Sequence, residues 1–187
     1  LKNEKLLNFE NSEYQLFSII KNFHLFEILE KSLFKSKYFK KIFQSITPKI
    51  LDNYNLVINT DHSNPTSKKY FYKKIIKKYN STAYTTIINH DIIDNQTAIQ
   101  IFTKRGPLAF LPVSLKETSI VYSLHNNLKN KKNENIEELI RHYNSRYNIK
   151  KIEKIASFEL KSLILRSYYH NNILDFGDLL HKIHPIA

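Results

Sequence analysis

The sequence points to an α/β fold, with an α+β portion carried by a mixed, mainly antiparallel sheet, on three grounds. Four short runs between residues 83 and 123 are rich in β-branched and aromatic residues. Two stretches, at 22–35 and 136–147, instead space their apolar residues at the period of a helix. Near the end of the chain an apolar run leads into Gly177-Asp178, the pattern of a strand turning into a helix.

Taken in order, Leu6-Leu7-Asn8-Phe9 and Leu16-Phe17-Ser18-Ile19-Ile20 read as two short strands. After Asn22, the residues Leu25, Ile28, Leu29 and Leu33 form an apolar stripe, with Glu27, Glu30, Lys31 and Lys35 on other faces, which predicts a core-facing helix. The run Tyr54 to Asn59 reads as a buried strand, and Thr60-Asp61-His62-Ser63-Asn64-Pro65 as the turn that follows, where Asp61 can close an Asx turn. Thr66 to Lys78 reads as a basic helix, with Tyr70, Tyr72, Ile75 and Ile76 among Lys68, Lys69, Lys73, Lys74, Lys77 and Lys78. Such interleaving serves RNA or a membrane surface, or is a plain solvated face.

The runs Ala83 to Ile88 and Thr97 to Phe102, with Asp94-Asn95 between them, are expected to pair as an antiparallel hairpin. Gly106 to Ser114 and Thr118 to Ser123 are a second expected pair; Pro107 and Pro112 bracket the first of these strands and end its pairing. Leu124 to Asn135 is polar and reads as a loop. Ile136, Leu139, Ile140, Tyr143 and Tyr147 then fall at helical spacing. The adjacent Glu137 and Glu138 diverge by about 100° around such a helix and are solvent-facing charges rather than paired catalytic acids. Ala156 to Leu160 is a further strand, and Ile173 to Phe176 precedes the terminal turn.

That terminal stretch admits two chemistries. The first backbone N–H groups of a helix starting at Gly177-Asp178 can hold an anion or the hydroxyls of a ligand. Alternatively Asp178, His181 and His184, three apart, share one helix face and could ligate a metal.

Composition bounds the rest. The chain has 187 residues, 42% apolar and 13% aromatic, enough for one domain with a real core. No uncharged apolar run is long enough to span a bilayer, and the Leu-Lys-Asn-Glu start is not a signal peptide. With no cysteine, disulfides, thiolate metal sites and thiol catalysis are excluded. There is no methionine either, from which a fragment of a longer chain is expected. The net charge of +12 would suggest an anionic partner, but lysine, isoleucine and asparagine are abundant everywhere while glycine and arginine are scarce, the bias of an AT-rich coding sequence, so basicity carries little weight.

Several of these motifs together resemble the para-hydroxybenzoate-hydroxylase class of FAD-dependent monooxygenases. Gly177, Asp178, His181, His184, Pro185 and Ala187 match its second FAD-binding motif, with Leu179-Leu180 replacing a small pair. Asp61 matches the acid of its Gly-Ala-Asp-Gly segment, with His62 where glycine is usual, and Asn22 matches an Asn-Arg pair that opens a helix beside the flavin, with Phe23 for the arginine. Gln100-x-Phe102, Gly106-Pro107-Leu108-Ala109-Phe110-Leu111-Pro112 and Ser119-Ile120-Val121-Tyr122-Ser123 resemble the substrate-domain sheet of the ubiquinone-biosynthesis branch, and Ala156 to Leu160 its Phe-Pro-Leu strand, with Glu159 for proline.

The resemblance implies a para-hydroxybenzoate-hydroxylase-like FAD-binding fold, partial, in three pieces: 1–69 a partial FAD-binding segment, 70–165 the substrate-binding sheet, 166–187 a return to the FAD-binding part. It implies hydroxylation of a polyprenylated phenol in ubiquinone biosynthesis through a flavin hydroperoxide, with FAD, O2 and NAD(P)H or another electron donor. Cofactor contacts fall to Gly177, Asp178, His184, Pro185, Ala187, Asp61 and Asn22; no catalytic residue and no metal are implied. Partners are the polyprenyl phenol, a peripheral membrane surface and other ubiquinone-biosynthesis proteins, without nucleic acid, at a cytoplasmic location or the inner face of the membrane. Because the chain has only Gly106 and Gly177, it lacks the Gly-x-Gly-x-x-Gly fingerprint that would hold the pyrophosphate. The competing readings are a non-enzymatic basic module on RNA or membrane, with the six lysines of 68–78 on one continuous face, and an inactive truncated product.

Overall fold

The structure, a computed structural model, describes residues 9, 11, 13–43, 48–61, 63–126 and 135–182. The elements in chain order are α1 (Asn22–Phe34), α2 (Pro48–Leu51), β1 (Val57–Asn59), α3 (Pro65–Tyr70), β2 (Lys74–His90), β3 (Ile99–Thr103), β4 (Gly106–Pro112), β5 (Glu117–His125), α4 (Ile136–Tyr143), β6 (Ile149–Ile152), β7 (Ala156–Leu165), β8 (Tyr169–His170), β9 (Ile173–Asp175), a 3-10 turn (Gly177–Leu179) and β10 (His181–Lys182). They make two sheets. The large one has the order β10-β7-β2-β5-β4-β3, with β6 also on β2, and these pairings are antiparallel. The small one has the order β1-β9-β8, and β1 and β9 are parallel. The expected α/β class with a mixed, mainly antiparallel sheet is what the chain adopts.

The large sheet is built from β-branched and aromatic residues that alternate between faces. On one face Ile88, Leu108, Phe110, Ile120, Tyr122 and Leu124 are buried together with Ile140 of α4 and with Tyr147. The α4 helix is capped by Asn135, whose side chain accepts from Glu137 N, and it buries Ile140 while Glu137 and Glu138 stay exposed. Beneath it, Tyr147 donates to Asn95 Oδ1, Asn95 Nδ2 donates to Thr118 Oγ1, and Thr118 Oγ1 lies 2.9 Å from His90 Nε2. This buried polar line fixes the 91–98 connection against β5.

Tyr122 is fully buried. Thr103 uses its single hydroxyl hydrogen on Gly106 O, so the phenol 3.2 Å away is the donor to Thr103 Oγ1. Burial pushes the Tyr122 phenol above its ordinary value of 10.0. Because the folded-state pKa is the raised one, the associated stability is complete below pH 10 and is lost as pH rises through the folded value. We expect the urea midpoint to fall between pH 9 and 11.5 in the native protein, and less steeply in Tyr122→Phe.

Several expectations are corrected. The 97–102 run does not pair with 83–88; β3 pairs with β4 across the Lys104-Arg105 turn, and β2 lies between β5 and β7. The Asp94-Asn95 pair is no hairpin turn because Asn95 is buried and bonded to Ser114 O and Thr118. The basic helix stops at Tyr70, and Lys74, Lys77 and Lys78 belong to β2, where Ile75 and Ile76 pair with Ile164 and Leu163 of β7. Cross-strand pairing of β-branched residues overrides the helical spacing there.

The α1 helix forms where expected, but it has no buried residue: Leu25, Ile28, Leu29 and Leu33 are exposed, as are Phe23, Phe26 and Phe34. Lys21, just before α1, ties to the large sheet through an ion pair with Glu117 at 2.8 Å. Finally, 16–20 has no strand pairing, while Leu6 to Asn8 lie outside the described residues. Among the described residues no helix is long and apolar enough to cross a membrane.

Candidate functional site

Two stretches far apart in sequence meet at the small sheet. Val57, Ile58 and Asn59 pair in parallel with Ile173, Leu174 and Asp175. Parallel neighbours run the same way, so the chain leaves both strands at the same edge, into Thr60-Asp61 from one and into Phe176-Gly177-Asp178 from the other. In open α/β sheets that carboxyl edge is where ligands bind.

Three buried polar side chains hold the edge together. Asn59 Nδ2 donates to Asp175 Oδ1 at 2.8 Å across 116 residues, and also to Ser67 Oγ of α3 at 2.5 Å. Ser67 Oγ in turn donates to the Asp175 carboxylate, 3.0 Å from Oδ2 and 3.2 Å from Oδ1. Asp175 is 1% exposed. The backbone closes the joint, with Phe176 N donating to Asn59 O and Asp175 N to Tyr168 O. A buried carboxylate facing two neutral donors is a structural clamp between β1, β9 and α3, since Ser67 donates to an acid here and no base faces it. None of the three was singled out from the sequence. The available signal was an acid inside the apolar run Ile173-Leu174-Asp175-Phe176.

Beyond the clamp, Asp61 forms the Asx turn: its Oδ1 accepts from Ser63 N at 2.8 Å and its Oδ2 from Ser63 Oγ at 2.6 Å. Asn64 then caps α3 by accepting from Thr66 N, with Pro65 in the first turn. On the other side Gly177 has φ +69, and a Cβ built on it meets nothing within 4 Å. Asp178 is exposed. The turn therefore offers a bare backbone edge toward open space. Gly177→Ala is expected to cost about 1 kcal/mol from the left-handed φ alone, read as a small shift in urea midpoint.

The terminal helix expected after Gly177 is a single 3-10 turn closed by Leu180 N to Gly177 O, after which His181 and Lys182 form β10 against Ile164 and Leu163. Pairing with the end of β7 takes the chain out of helix. Asp178 and His181 thus do not share a helix face, and among the described residues no group of three His, Asp or Glu side chains could hold a metal. His184, Pro185, Ala187 and His62 lie outside the described residues. Asn22 begins α1, whose preceding Lys21 pairs with Glu117, cross-strand from Asn89. That is the opposite end of β2 from Lys74, so the structure gathers Asp61, Gly177 and Asp178 but does not bring Asn22 to them.

The lysines of 68–78 do not make one continuous face. Lys74 and Lys78 fall on one side of β2 and Lys77 on the other. Lys78 reaches Glu159 at 3.6 Å, and Lys69 and Lys77 lie over the Tyr70 and Tyr79 rings.

A cleft of about 230 Å³ opens between the small sheet's turn and the large sheet, lined by Ser67, Lys68, Phe71, Tyr72, Lys74, Leu163, Leu165 and Leu179. It borders the ends of β2 and β7. Its floor continues the second core, in which Leu51, Phe71, Leu163, Leu165 and Ile173 are buried together.

No protein-family model matches the chain, and no curated protein does. Solved structures do. The flavin-dependent brominase Bmp2 superposes with a TM-score of 0.52 at 14% identity, over 70% of this chain and 37% of that one. The flavin-dependent halogenase CmlS gives 0.50 at 11% identity, over 70% and 26%. A 2-methyl-3-hydroxypyridine-5-carboxylic acid oxygenase gives 0.50 at 11% identity, over 70% and 40%. At such identities the likeness is one of fold: the chain has the fold of part of these enzymes, and it spans well under half of their length.

As for a flavin at this edge, the residues present suit one end of the group. The open backbone at Gly177 and the acids at 61 and 178 flank the carboxyl ends of two parallel strands. A backbone cradle for a diphosphate needs closely spaced glycines, and the only two in the sequence are Gly106 and Gly177.

Proposed function

We propose that this chain is the sheet-bearing part of an FAD-dependent monooxygenase that hydroxylates a polyprenylated phenol, with NAD(P)H or another donor as reductant. The single observation that carries the reading is the in-register parallel pair β1 and β9, which delivers the Asp61 loop and the Gly177-Asp178 turn to one edge. Bound there, the flavin would supply the activation of O2 that no amino-acid side chain provides. The chain's own part is to bind and orient. Asp178 would accept a hydrogen bond from the ribityl chain, Gly177 would let the backbone come close, and Asp61 would lie toward the dinucleotide. His184, Pro185 and Ala187 complete the contacts that the resemblance implies at this edge.

The polyprenyl substrate is supported by the Gly106 to Pro112 segment and its neighbours, and a bilayer-borne substrate makes peripheral membrane contact and association with other ubiquinone-biosynthesis proteins part of the same proposal. The exposed apolar residues of α1 are compatible with such a surface.

Fluorescence titration with FAD tests the site. Saturable binding is expected, micromolar or weaker because the diphosphate lacks its cradle, and weakened at least fivefold by Asp178→Ala. Affinity unchanged by Asp178→Ala, or no saturable binding at millimolar FAD, overturns the assignment.

A further inference from the structure

The cleft between α3 and the paired ends of β2 and β7 has a composition that the oxygenase reading does not use. Residues 67 and 71, and likewise 68 and 72, are four apart across the end of α3 and so line one side of it together. From the sheet, Lys74 and Leu165 are direct cross-strand partners and Leu163 lies on the same face. Leu179, from the 3-10 turn, closes the end. Phe71, Leu163, Leu165 and Leu179 are buried and form the floor, whereas Lys68 and Lys74 are exposed at the rim.

Lys182, opposite Leu163 across β10 and β7, stands on that face too. The polar groups nearby do not satisfy the two rim cations. Asp175 is buried behind Ser67, which spends its hydroxyl hydrogen on it, and the neighbouring acid, Asp178, is absent from the lining. Among the described residues neither Lys68 nor Lys74 is in an ion pair.

An apolar floor under two unneutralised cations selects a molecule with one anionic head and an apolar body. Size narrows the class. An apolar cavity of about 150 Å³ takes a six-carbon ring, so on the same footing a cleft of about 230 Å³ takes about nine non-hydrogen atoms. We propose that this cleft binds a small amphiphilic carboxylate, an acid group on an apolar body of about six carbon atoms or slightly more. The carboxylate lies between Lys68 and Lys74, and the apolar body lies along Leu163, Leu165 and Leu179. This goes beyond the oxygenase reading and does not depend on it.

The test is an amide-resolved NMR titration of the flavin-free chain with acetate, butanoate, hexanoate and octanoate. Affinity should rise about twofold to fourfold per added methylene up to hexanoate or octanoate, the range between half and full burial. The shifts should centre on Phe71, Leu163, Leu165 and Leu179. The double reversal Lys68→Glu with Lys74→Glu, both exposed and outside the core, should weaken octanoate at least tenfold. Lys69→Glu with Lys73→Glu, equal in charge change, should alter it less than twofold.

Neutral 1-octanol, or inorganic phosphate, should shift these amides far less than octanoate does. Shifts that gather on α1 instead, affinity that ignores chain length, or equal loss in both double variants would each overturn the proposal. FAD binding, measured separately, is unaffected by any of these outcomes.

Discussion

Gly106→Ala is expected to unfold the protein at mild denaturant, with a loss of about 3 to 5 kcal/mol. Gly106 opens β4 at φ +142, a conformation that L residues rarely adopt. A Cβ there would sit 2.0 Å from the Ser123 carbonyl oxygen and 3.1 Å from its carbon. Both are backbone atoms of β5, whose neighbouring Tyr122 and Leu124 are in the main core, so neither can move cheaply. The Thr103 hydroxyl that bonds Gly106 O, accepts from Arg105 N and holds the Tyr122 phenol would be displaced with it. Gly177→Ala, at the chain's other glycine, strains φ but fills open space, so urea denaturation of the two variants side by side separates the clash from the strain. Similar midpoints for both would contradict this geometry.

Asp175→Ala is expected to cost about 2 to 4 kcal/mol, because it empties a fully buried site, leaves the Ser67 hydroxyl without its acceptor and leaves one of the two Asn59 amide hydrogens unpaired, the other staying on Ser67 Oγ. The loss should be local before it is global. Hydrogen exchange at Val57 to Asn59 and Ile173 to Phe176 should accelerate, while Ile88, Ile120 and their neighbours in the large sheet keep their protection. Asp178→Ala, three residues on and exposed, should change stability by less than about 0.5 kcal/mol. An Asp175→Ala protein as stable as the native one would mean that the clamp does not join the two strands.

The fold was legible in the sequence to the extent that local pattern decides it. The runs of β4 and β5 and the α4 stripe as far as Tyr143 form where their spacing predicts, although Pro107 and Pro112 lie inside the pairing of β4 rather than ending it. Of the buried strand expected over Tyr54 to Asn59, Val57 to Asn59 forms, with Ile58 exposed. What local pattern could not supply was partnership. Nothing within Ala83 to Ile88 says that its neighbours are β5 and β7 rather than the next β-rich run, because register is set by contacts that are distant in sequence. The same is true of Tyr70 to Lys78, where helical spacing and strand propensity coexist and the β7 edge chooses between them.

The α1 stripe shows the limit most plainly. Its amphipathic pattern predicted a buried face, yet Leu25 and Ile28 are exposed, since a pattern states what a helix can bury and not whether a partner is present. At the candidate site, glycine and acid could be read from motif resemblance, whereas Asn59, Ser67 and Asp175 acquire meaning from the parallel register alone.

That register can be measured directly. The chain has no cysteine, so an introduced pair reports without interference. Ile58 and Leu174 face each other across β1 and β9. Neighbouring strands lie about 4.8 Å apart, within the Cα separation that a disulfide spans. Ile58→Cys with Leu174→Cys should therefore oxidise to a single intramolecular disulfide in the native protein and not in urea, whereas Ile58→Cys with Ile164→Cys should remain reduced. No crosslink in the first pair, or equal crosslinking in both, would mean that the Asp61 loop and the Gly177-Asp178 turn do not leave a shared edge, and the flavin site built on that edge would fall with it.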